Sequence, residues 1–188
     1  VGDGECLDSE LLYASAFDRT SGGGGITLQF KHAQSRMQFV ASSEVANFMR
    51  IDKIIIENAL TGGTLNVSNG IRMDAAWSFG GHARADLTVP GSEGVVIGEG
   101  SYPVCDILLP EQRACDIVLY YSVKYSSDED WDTAENRVYR YESGDVPWYY
   151  GKKNVFYIKF DLSEIVMISS VKEWDDEAVD ISIEKNEE

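Results

Sequence analysis

Short segments in which apolar and polar residues alternate recur along the whole chain, and turn-forming residues separate them. Residues 26–30 show the pattern clearly. Residues 51–57, which are rich in β-branched side chains, and residues 155–162 are also predicted to be strands. A period of two puts successive side chains on opposite faces of a strand, whereas no stretch keeps a helical period over more than two turns. Strands at a spacing of roughly 8–15 residues are typical of sandwiches and barrels. We therefore predict an all-β fold, an antiparallel β-sandwich.

The length and the charge of the chain limit the number of domains and the kinds of partner that we expect. With 188 residues, of which 44% are hydrophobic, one sandwich can bury a full core. The formal charge of −16 repels phosphate backbones and anionic membranes, so we expect no nucleic-acid partner. No apolar run approaches the roughly 20 residues that span a bilayer. Because a glycine run at 22–25 interrupts the chain, we divide it into an N-terminal segment or linker, 1–24, and a β-sandwich domain, 25–188.

The cysteines leave two alternatives open. Cys6, Cys105 and Cys115 are three in number, so they cannot all pair within one chain. Cys105 and Cys115 form a disulfide between neighbouring strands if their Cα atoms lie within about 7 Å of each other. Two buried free thiols are equally compatible with the sequence.

Signatures of catalysis are missing from the sequence. His32 and His82 lie far apart, and neither belongs to an HExxH or HxH pattern that would bind a metal. No GxSxG elbow presents a serine nucleophile. No GK[ST] follows the glycine run, as it does in a phosphate-binding loop. We predict that the protein is not an enzyme and that it uses neither a cofactor nor a metal.

Two clusters of aromatic residues are the candidates for ligand stacking. Trp131 lies among carboxylates in a polar stretch, 126–136, which is either a calcium or sugar site or, as we favour, a solvated acidic loop. Trp148, Tyr149 and Tyr150 stand together in a turn region. Sugar C–H faces pack on aromatic rings, so these three form either a carbohydrate platform or, as we favour, a cap on the core.

The last alternating segment, residues 178–183, has Val179, Ile181 and Ile183 at every second position. Such a strand either closes its own sheet or leaves it and adds to the sheet of another subunit, which is a recurrent mode of recognition. Periodicity alone does not separate these two alternatives.

Several segments, taken in order, resemble the fimbrillins of the Bacteroidetes, mainly their C-terminal domain. They cover nearly the whole chain from Leu11 onward. The segments are LLYA (11–14), LQFKHAQSRMQF (28–39), IDKIIIEN (51–58), GTLN (63–66), LLPEQ (108–112), YYSVKY (120–125), GKKNVFYIKF (151–160) and SSVKEW (169–174). Each segment is short, and it is their shared order that makes the resemblance specific.

The resemblance implies a transthyretin-like β-sandwich pilin of the type V class, exported as a lipoprotein and displayed on the outer membrane. In that scheme, proteolysis removes an N-terminal strand and the C-terminal strand of a neighbour fills the groove. The chain would be a structural or tip subunit of a cell-surface fimbria that supports adhesion. Its partners would be other pilin subunits, and host or bacterial surface glycans or proteins.

Particular residues acquire expected roles from this resemblance. Val179, Ile181 and Ile183 are expected to be the donor-strand anchors, and Ile26, Leu28 and Phe30 to line the sheet near the entry. The alternative function is a carbohydrate-binding surface adhesin domain that does not polymerise. In that case Trp131, Trp148, Tyr149 and Tyr150 would form the stacking surfaces.

Two departures from the family pattern concern the start of the sequence. Fimbrillins carry another β domain before the segment that corresponds to 11–14, so residues 1–24 are expected to include the remnant of a preceding domain. Membrane attachment is expected only through a lipid anchor that this chain lacks, because Cys6 does not follow the small apolar residues of a lipidation site.

Overall fold

The computed structural model describes residues 10–15, 26–69, 73–161, 164–174 and 178–181, which form fourteen strands and no helix. The predicted all-β fold is therefore confirmed. No membrane-spanning helix is present within these described ranges. The strands are β1 (Leu12–Ser15), β2 (Ile26–His32), β3 (Ser35–Ser43), β4 (Met49–Leu60), β5 (Thr64–Asn69), β6 (Met73–Ser78), β7 (Arg84–Thr88), β8 (Val95–Ile97), β9 (Gly100–Leu109), β10 (Ile117–Val123), β11 (Glu135–Tyr141), β12 (Lys152–Phe160), β13 (Ile165–Glu173) and β14 (Ala178–Ile181).

Two sheets pack against each other as a β-sandwich. Sheet 1 has the order β13-β12-β3-β9, and sheet 2 has the order β11-β10-β4-β7, with β8 also paired to β4. Their inner faces share one core, in which the rings of Phe39 and Phe156 stack with centroids 5.1 Å apart. The other large, fully buried side chains are Met37, Met49, Ile51, Ile54, Ile56, Ile97, Ile107, Leu109, Ile117 and Phe160.

Alternation in the sequence becomes alternation of burial wherever one face of a strand meets solvent. β3 alternates between buried and half-buried residues over all nine positions, as a period of two requires. In β10, by contrast, six of seven residues are buried. β10 lies inside sheet 2, between β11 and β4, just as β3 lies inside sheet 1, so a place inside a sheet does not by itself decide whether both faces of a strand are buried.

One strand pair departs from the predicted antiparallel arrangement. β12 pairs with β3 in parallel, from Lys153 opposite Arg36 to Phe160 opposite Ser43. Parallel neighbours cannot be joined by a tight turn, and here the chain passes through all of sheet 2 between the two strands. The alternating pattern predicts each strand, but it carries no information on this partner.

A third, smaller sheet continues sheet 1 at one end. β2 leads into β3 through Ala33 and Gln34, and it lies between β1 and β14 in the order β1-β2-β14. The separate hairpin of β5 and β6 packs against this region, because Leu65 and Trp77 contact the small buried cluster of Tyr13 and Ala33. The first and the last described strands thus meet on β2.

The cysteine alternatives are resolved in favour of free thiols, since neither Cys105 nor Cys115 is in a disulfide. Cys105 lies on β9 in sheet 1, whereas Cys115 precedes β10 in sheet 2. The two residues are therefore not on neighbouring strands of one sheet. Cys6 lies outside the described residues.

Candidate assembly site

β2 carries a short ladder on each of its two edges. β1 pairs with residues 29–32 of β2, which include Phe30. β14 pairs on the other edge with residues 26–29. Each ladder joins only four residue pairs, against nine between β12 and β13. Because a short edge ladder opens more readily than a long internal one, β1 and β14 are the candidates for exchange.

β1 also covers the backbone that links β2 to β3. The N–H of Leu11 donates to Oε1 of Gln34 at 2.8 Å, and the N–H of Ala33 donates to the carbonyl of Leu11 at 2.9 Å. The carbonyl of Ala33 accepts the indole N–H of Trp77 at 2.7 Å. The polar backbone groups at this link are thereby satisfied, as buried polar groups must be.

Trp174 fixes the point at which the chain leaves sheet 1 before β14. Its N–H donates to the carbonyl of Gly151 at 3.2 Å. Its indole stacks on the buried imidazole of His32, with centroids 3.8 Å apart and 7° between the planes. The guanidinium carbon of Arg36 lies 5.7 Å from the centroid of the same indole. An aromatic pair contributes about 0.5–1.5 kcal/mol, and none of these contacts involves β14.

Gly151 bridges Trp174 to the start of β3. Its N–H donates to the carbonyl of Gln34 at 2.9 Å, while its carbonyl accepts from Trp174. The φ angle of Gly151 is +65°, in the left-handed region where a residue with a Cβ is strained. A Cβ at this position would meet only the carbonyl of His32, at 3.7 Å. Backbone conformation, rather than lack of space, therefore favours glycine here.

The predicted donor anchors fall partly on β14. Val179 lies opposite Leu28, and Ile181 lies opposite Ile26, in the ladder with β2. The structure thus brings two predicted anchors together with two residues predicted to line the sheet near the entry. Ile183 lies outside the described residues. In this chain β14 adds to its own sheet, and its addition to another subunit stays a prediction.

A cavity of about 370 Å³ opens beside Trp174 and the start of β12. Tyr149 and Tyr150, two of the predicted stacking residues, line it and are 48% and 36% exposed. The ring of Tyr150 meets that of Tyr13 edge-on with centroids 6.5 Å apart, and its N–H donates to the carboxylate of Glu111 at 3.2 Å. The remaining lining residues are Lys31, His32, Glu111, Gly151, Lys152, Glu173 and Trp174. Carbohydrate binding at these phenol rings stays a prediction.

The other two predicted stacking residues lie elsewhere. Trp148 is only 3% exposed and packs edge-on against Phe156, with centroids 6.3 Å apart, so its ring is part of the core. Trp131 lies between β10 and β11, where the charged groups of Arg50 and Lys124 stand 5.0 and 4.7 Å from its ring centroid. Of the four predicted stacking residues, the structure brings only Tyr149 and Tyr150 to one cavity.

Possible metal ligands, His32 and the two thiols are the reactive groups that the structure allows to be assessed. Among them, no group of three or more His, Cys, Asp or Glu side chains is placed to bind a metal. His32 stacks on Trp174 and contacts the carboxylate of Glu10 through Nδ1. Burial raises the pKa of Cys105 to about 12 and also raises the pKa of Cys115. Both thiols therefore stay protonated at neutral pH and lack the thiolate that a nucleophile needs.

Sequence reasoning missed the junction formed by His32, Gly151 and Trp174. Each of these residues lies at the end of a different strand segment, and nothing in a single sequence shows that three such distant positions meet. The isolated glycine ahead of β12 was the one available signal, because glycine at an element boundary often adopts a left-handed conformation.

One protein family and several solved structures are similar to this chain. The sequence profile of one family, described as fimbrillin-like, matches residues 3–174. No curated protein sequence matches the chain. Among solved structures, the chain is similar to a proposed cell adhesion protein from Bacteroides uniformis, with a TM-score of 0.49 and 11% identity, over 91% of this chain and 69% of that one.

Two further solved structures are similar over smaller shares of their length. A proposed cell adhesion protein from Bacteroides ovatus has a TM-score of 0.47 and 14% identity, over 79% of this chain and 48% of that one. A fimbrial protein from Bacteroides vulgatus has a TM-score of 0.43 and 10% identity, over 79% of this chain and 56% of that one. The chain thus spans about half the length of these two proteins.

Proposed function

Since this chain belongs to the fimbrillin-like family, we propose that it is a structural or tip subunit of a cell-surface fimbria, that it assembles by β-strand exchange, and that it supports adhesion. The family is one of structural and adhesion proteins and not of enzymes. The observation that carries the proposal is the position of β14, an edge strand held to β2 by four residue pairs. The partners in assembly are further pilin subunits.

Exchange of β14 between subunits keeps the backbone hydrogen bonds that β14 makes with β2. An identical strand from a second subunit can meet β2 in the same register, so the contacts are equal in the monomer and in the assembly. The balance between the two then depends on subunit concentration and on strain in the connection to β14. In strand addition, backbone hydrogen bonds supply affinity and alternate side chains supply specificity.

Sheet 1 and the acceptor strand β2 each have described contacts that do not involve β14. Trp174 is held by His32 and Gly151, so the end of sheet 1 stays in place when β14 leaves. β2 keeps β1 on its other edge. Release of β14 therefore frees one edge of β2, at residues 26–29, which is the edge that a donor strand would occupy.

Deletion of residues 178–188 tests this proposal. The shortened chain is expected to stay folded and to unfold in one cooperative transition, because β14 belongs to neither sheet 1 nor sheet 2. On native gels and by electron microscopy, the full chain is expected to form an oligomer ladder and fibres, and the shortened chain is expected to form neither. Fibres formed by the shortened chain would contradict exchange through β14.

A second test keeps the full chain and replaces two predicted anchors together, Val179→Asp and Ile181→Asp. Burial of one such side chain contributes about 1.5–3 kcal/mol, so the pair is expected to weaken assembly more than about tenfold. The matched control, Ala178→Asp with Ser182→Asp, adds the same charge one residue before and one residue after the two anchors. It is expected to assemble better than the anchor variant. An equal loss in both variants would show that added charge, and not loss of the apolar anchors, prevents assembly.

A further inference from the structure

The outer face of β12 and β13 is apolar and basic, although the protein as a whole is strongly acidic. Ile168 is 59% exposed and lies opposite Tyr157, and Val166 is 45% exposed and lies opposite Lys159. The intervening residue of β13, Met167, is buried in the core, so these side chains point away from it. The surface, named here the β12–β13 face, consists of Lys153, Tyr157, Lys159, Val166, Ile168 and Lys172.

Two lysines of the β12–β13 face lack an opposite charge within the described residues. Lys153 and Lys172 lie directly across the ladder from each other, and like charges so placed are destabilising. Lys172 donates to the hydroxyl of Tyr157 at 2.9 Å, but neither ammonium group is in an ion pair with a carboxylate there. In a chain with 32 acidic and 16 basic residues, lysines that have no ion pair among the described residues and stand beside exposed apolar side chains indicate a surface that carboxylates of a partner complete.

The same chain displays suitable carboxylates on the loop between β10 and β11. Asp128, Asp130 and Asp132 are exposed, and none is in an ion pair with any residue that the structure describes. The loop has a fixed base, because Trp131 is held by the two cation–π contacts described above. Glu129 accepts a backbone hydrogen bond within the same loop. The loop therefore presents, in a defined place, three carboxylates that form no ion pair within the part of the chain that the structure describes.

We propose that the β12–β13 face docks onto the acidic loop, residues 126–134, of a second copy of this chain. Val166 and Ile168 would be covered at the centre, and the lysines would meet the aspartates around them. An apolar centre with a polar rim is the usual anatomy of a protein interface. Because two copies of charge −16 repel each other, close approach requires a local region of opposite sign, and the β12–β13 face supplies one.

The two surfaces are different parts of one molecule, so the contact is heterologous. A heterologous contact gives a ring if it closes and a filament if it does not. The β12–β13 face and the acidic loop share no residue with β14 or β2. This contact therefore goes beyond strand exchange and does not depend on it.

Sedimentation velocity of the full chain tests the contact. The wild-type chain is expected to associate at about 0.05 M salt and to be monomeric at about 1 M salt. At about 1 M the Debye length is about 3 Å, so the attraction between the lysines and the aspartates is screened. Lys153→Glu with Lys172→Glu is expected to weaken association at least about tenfold, because like charges brought together at an interface cost several kcal/mol. Asp130→Lys with Asp132→Lys is expected to have the same effect. The four changes combined restore opposite charges and are expected to restore association.

Control variants separate this contact from other effects. Lys53→Glu with Arg113→Glu makes the same change of charge away from the β12–β13 face and is expected to leave association near the wild-type value. Ile168→Ser, which changes no charge, is expected to weaken it. Oligomers that persist at high salt and disappear when residues 178–188 are deleted are assigned to exchange of β14. Association that is lost at high salt is assigned to the β12–β13 face. Failure of strand exchange would therefore leave the salt-dependent association unchanged.

Three outcomes would overturn the proposal. The first is a monomer at every salt concentration, and the second is failure of the combined reversal to restore association. The third is binding of an added anionic polysaccharide by a monomer, with loss of that binding in the Lys153→Glu, Lys172→Glu chain. That result would assign the face to an acidic partner other than this chain.

Discussion

Gly151 and Trp174 show how individual residues set the place where an edge strand begins. A left-handed glycine lets the chain turn into β12 while its N–H and carbonyl join Gln34 to Trp174. The indole then adds a stacking contact with His32. Since each of these groups lies outside β14, the junction is expected to be the same whether β14 pairs within the chain or with another subunit.

Replacing Gly151 tests the contribution of this backbone conformation. Gly151→Ala is expected to lower the free energy of unfolding in urea by about 1–2 kcal/mol, because alanine is disfavoured in the left-handed region. Gly80→Ala is the matched control, since Gly80 has open space around its Cβ position and no positive φ. It is expected to be neutral or slightly stabilising. Equal losses in both variants would contradict a special role for the conformation of Gly151.

The thiol of Cys105 gives a prediction about pH. Burial raises its pKa from 9.0 to about 12, which at neutral pH lowers the thiolate fraction roughly thousandfold, and the thiolate is the reactive form. Alkylation of Cys105 in the folded chain is therefore expected to be far slower than in the urea-unfolded chain. Its rate should keep rising above pH 9 instead of levelling off there. Mass spectrometry of the labelled peptide measures this, and equal folded and unfolded rates would contradict it.

At the scale of elements, the sequence predicts strands better than it predicts their partners. The strands predicted at 26–30, from alternation, and at 51–57, from β-branched content, correspond to β2 and β4. β6 was missed because its sequence, MDAAWS, has no β-branched residue; its pairing with β5 and the packing of Trp77 make it a strand. The parallel pairing of β12 with β3 and the convergence of β1 and β14 on β2 depend on contacts between distant segments, which a single sequence does not reveal.

For the candidate site, too, the sequence predicts some residues and not others. Val179 and Ile181 could be singled out because an alternating edge strand has a recognisable pattern, and the structure places both on β14. The sequence does not separate buried from exposed stacking residues, since a run of three aromatic residues does not show which ring points into the core. Trp148 is in the core, whereas Tyr149 and Tyr150 line a cavity. Which member of such a run is buried depends on its packing partner in the fold, here Phe156 on β12.

For the whole molecule, a charge of −16 and the proposed fibre-forming role make opposite demands. Net charge of one sign keeps subunits soluble and apart, so assembly needs contacts that overcome repulsion locally. The proposed exchange of β14 relies on backbone hydrogen bonds, which are independent of net charge. The proposed contact between the β12–β13 face and the acidic loop relies on charges of opposite sign. Salt is therefore expected to affect the second contact and to leave the first largely unchanged.

A disulfide trap between β2 and β14 tests strand exchange most directly. Leu28→Cys and Val179→Cys occupy opposite positions in the ladder, in a chain whose three native cysteines are changed to serine. Tyr120→Cys with Val138→Cys, opposite each other on β10 and β11, is the control pair and should crosslink only within one chain. On non-reducing gels of oxidised fibres, exchange predicts a covalent ladder for the pair at 28 and 179. Fibres that yield only monomers with an internal crosslink at this pair would contradict exchange of β14.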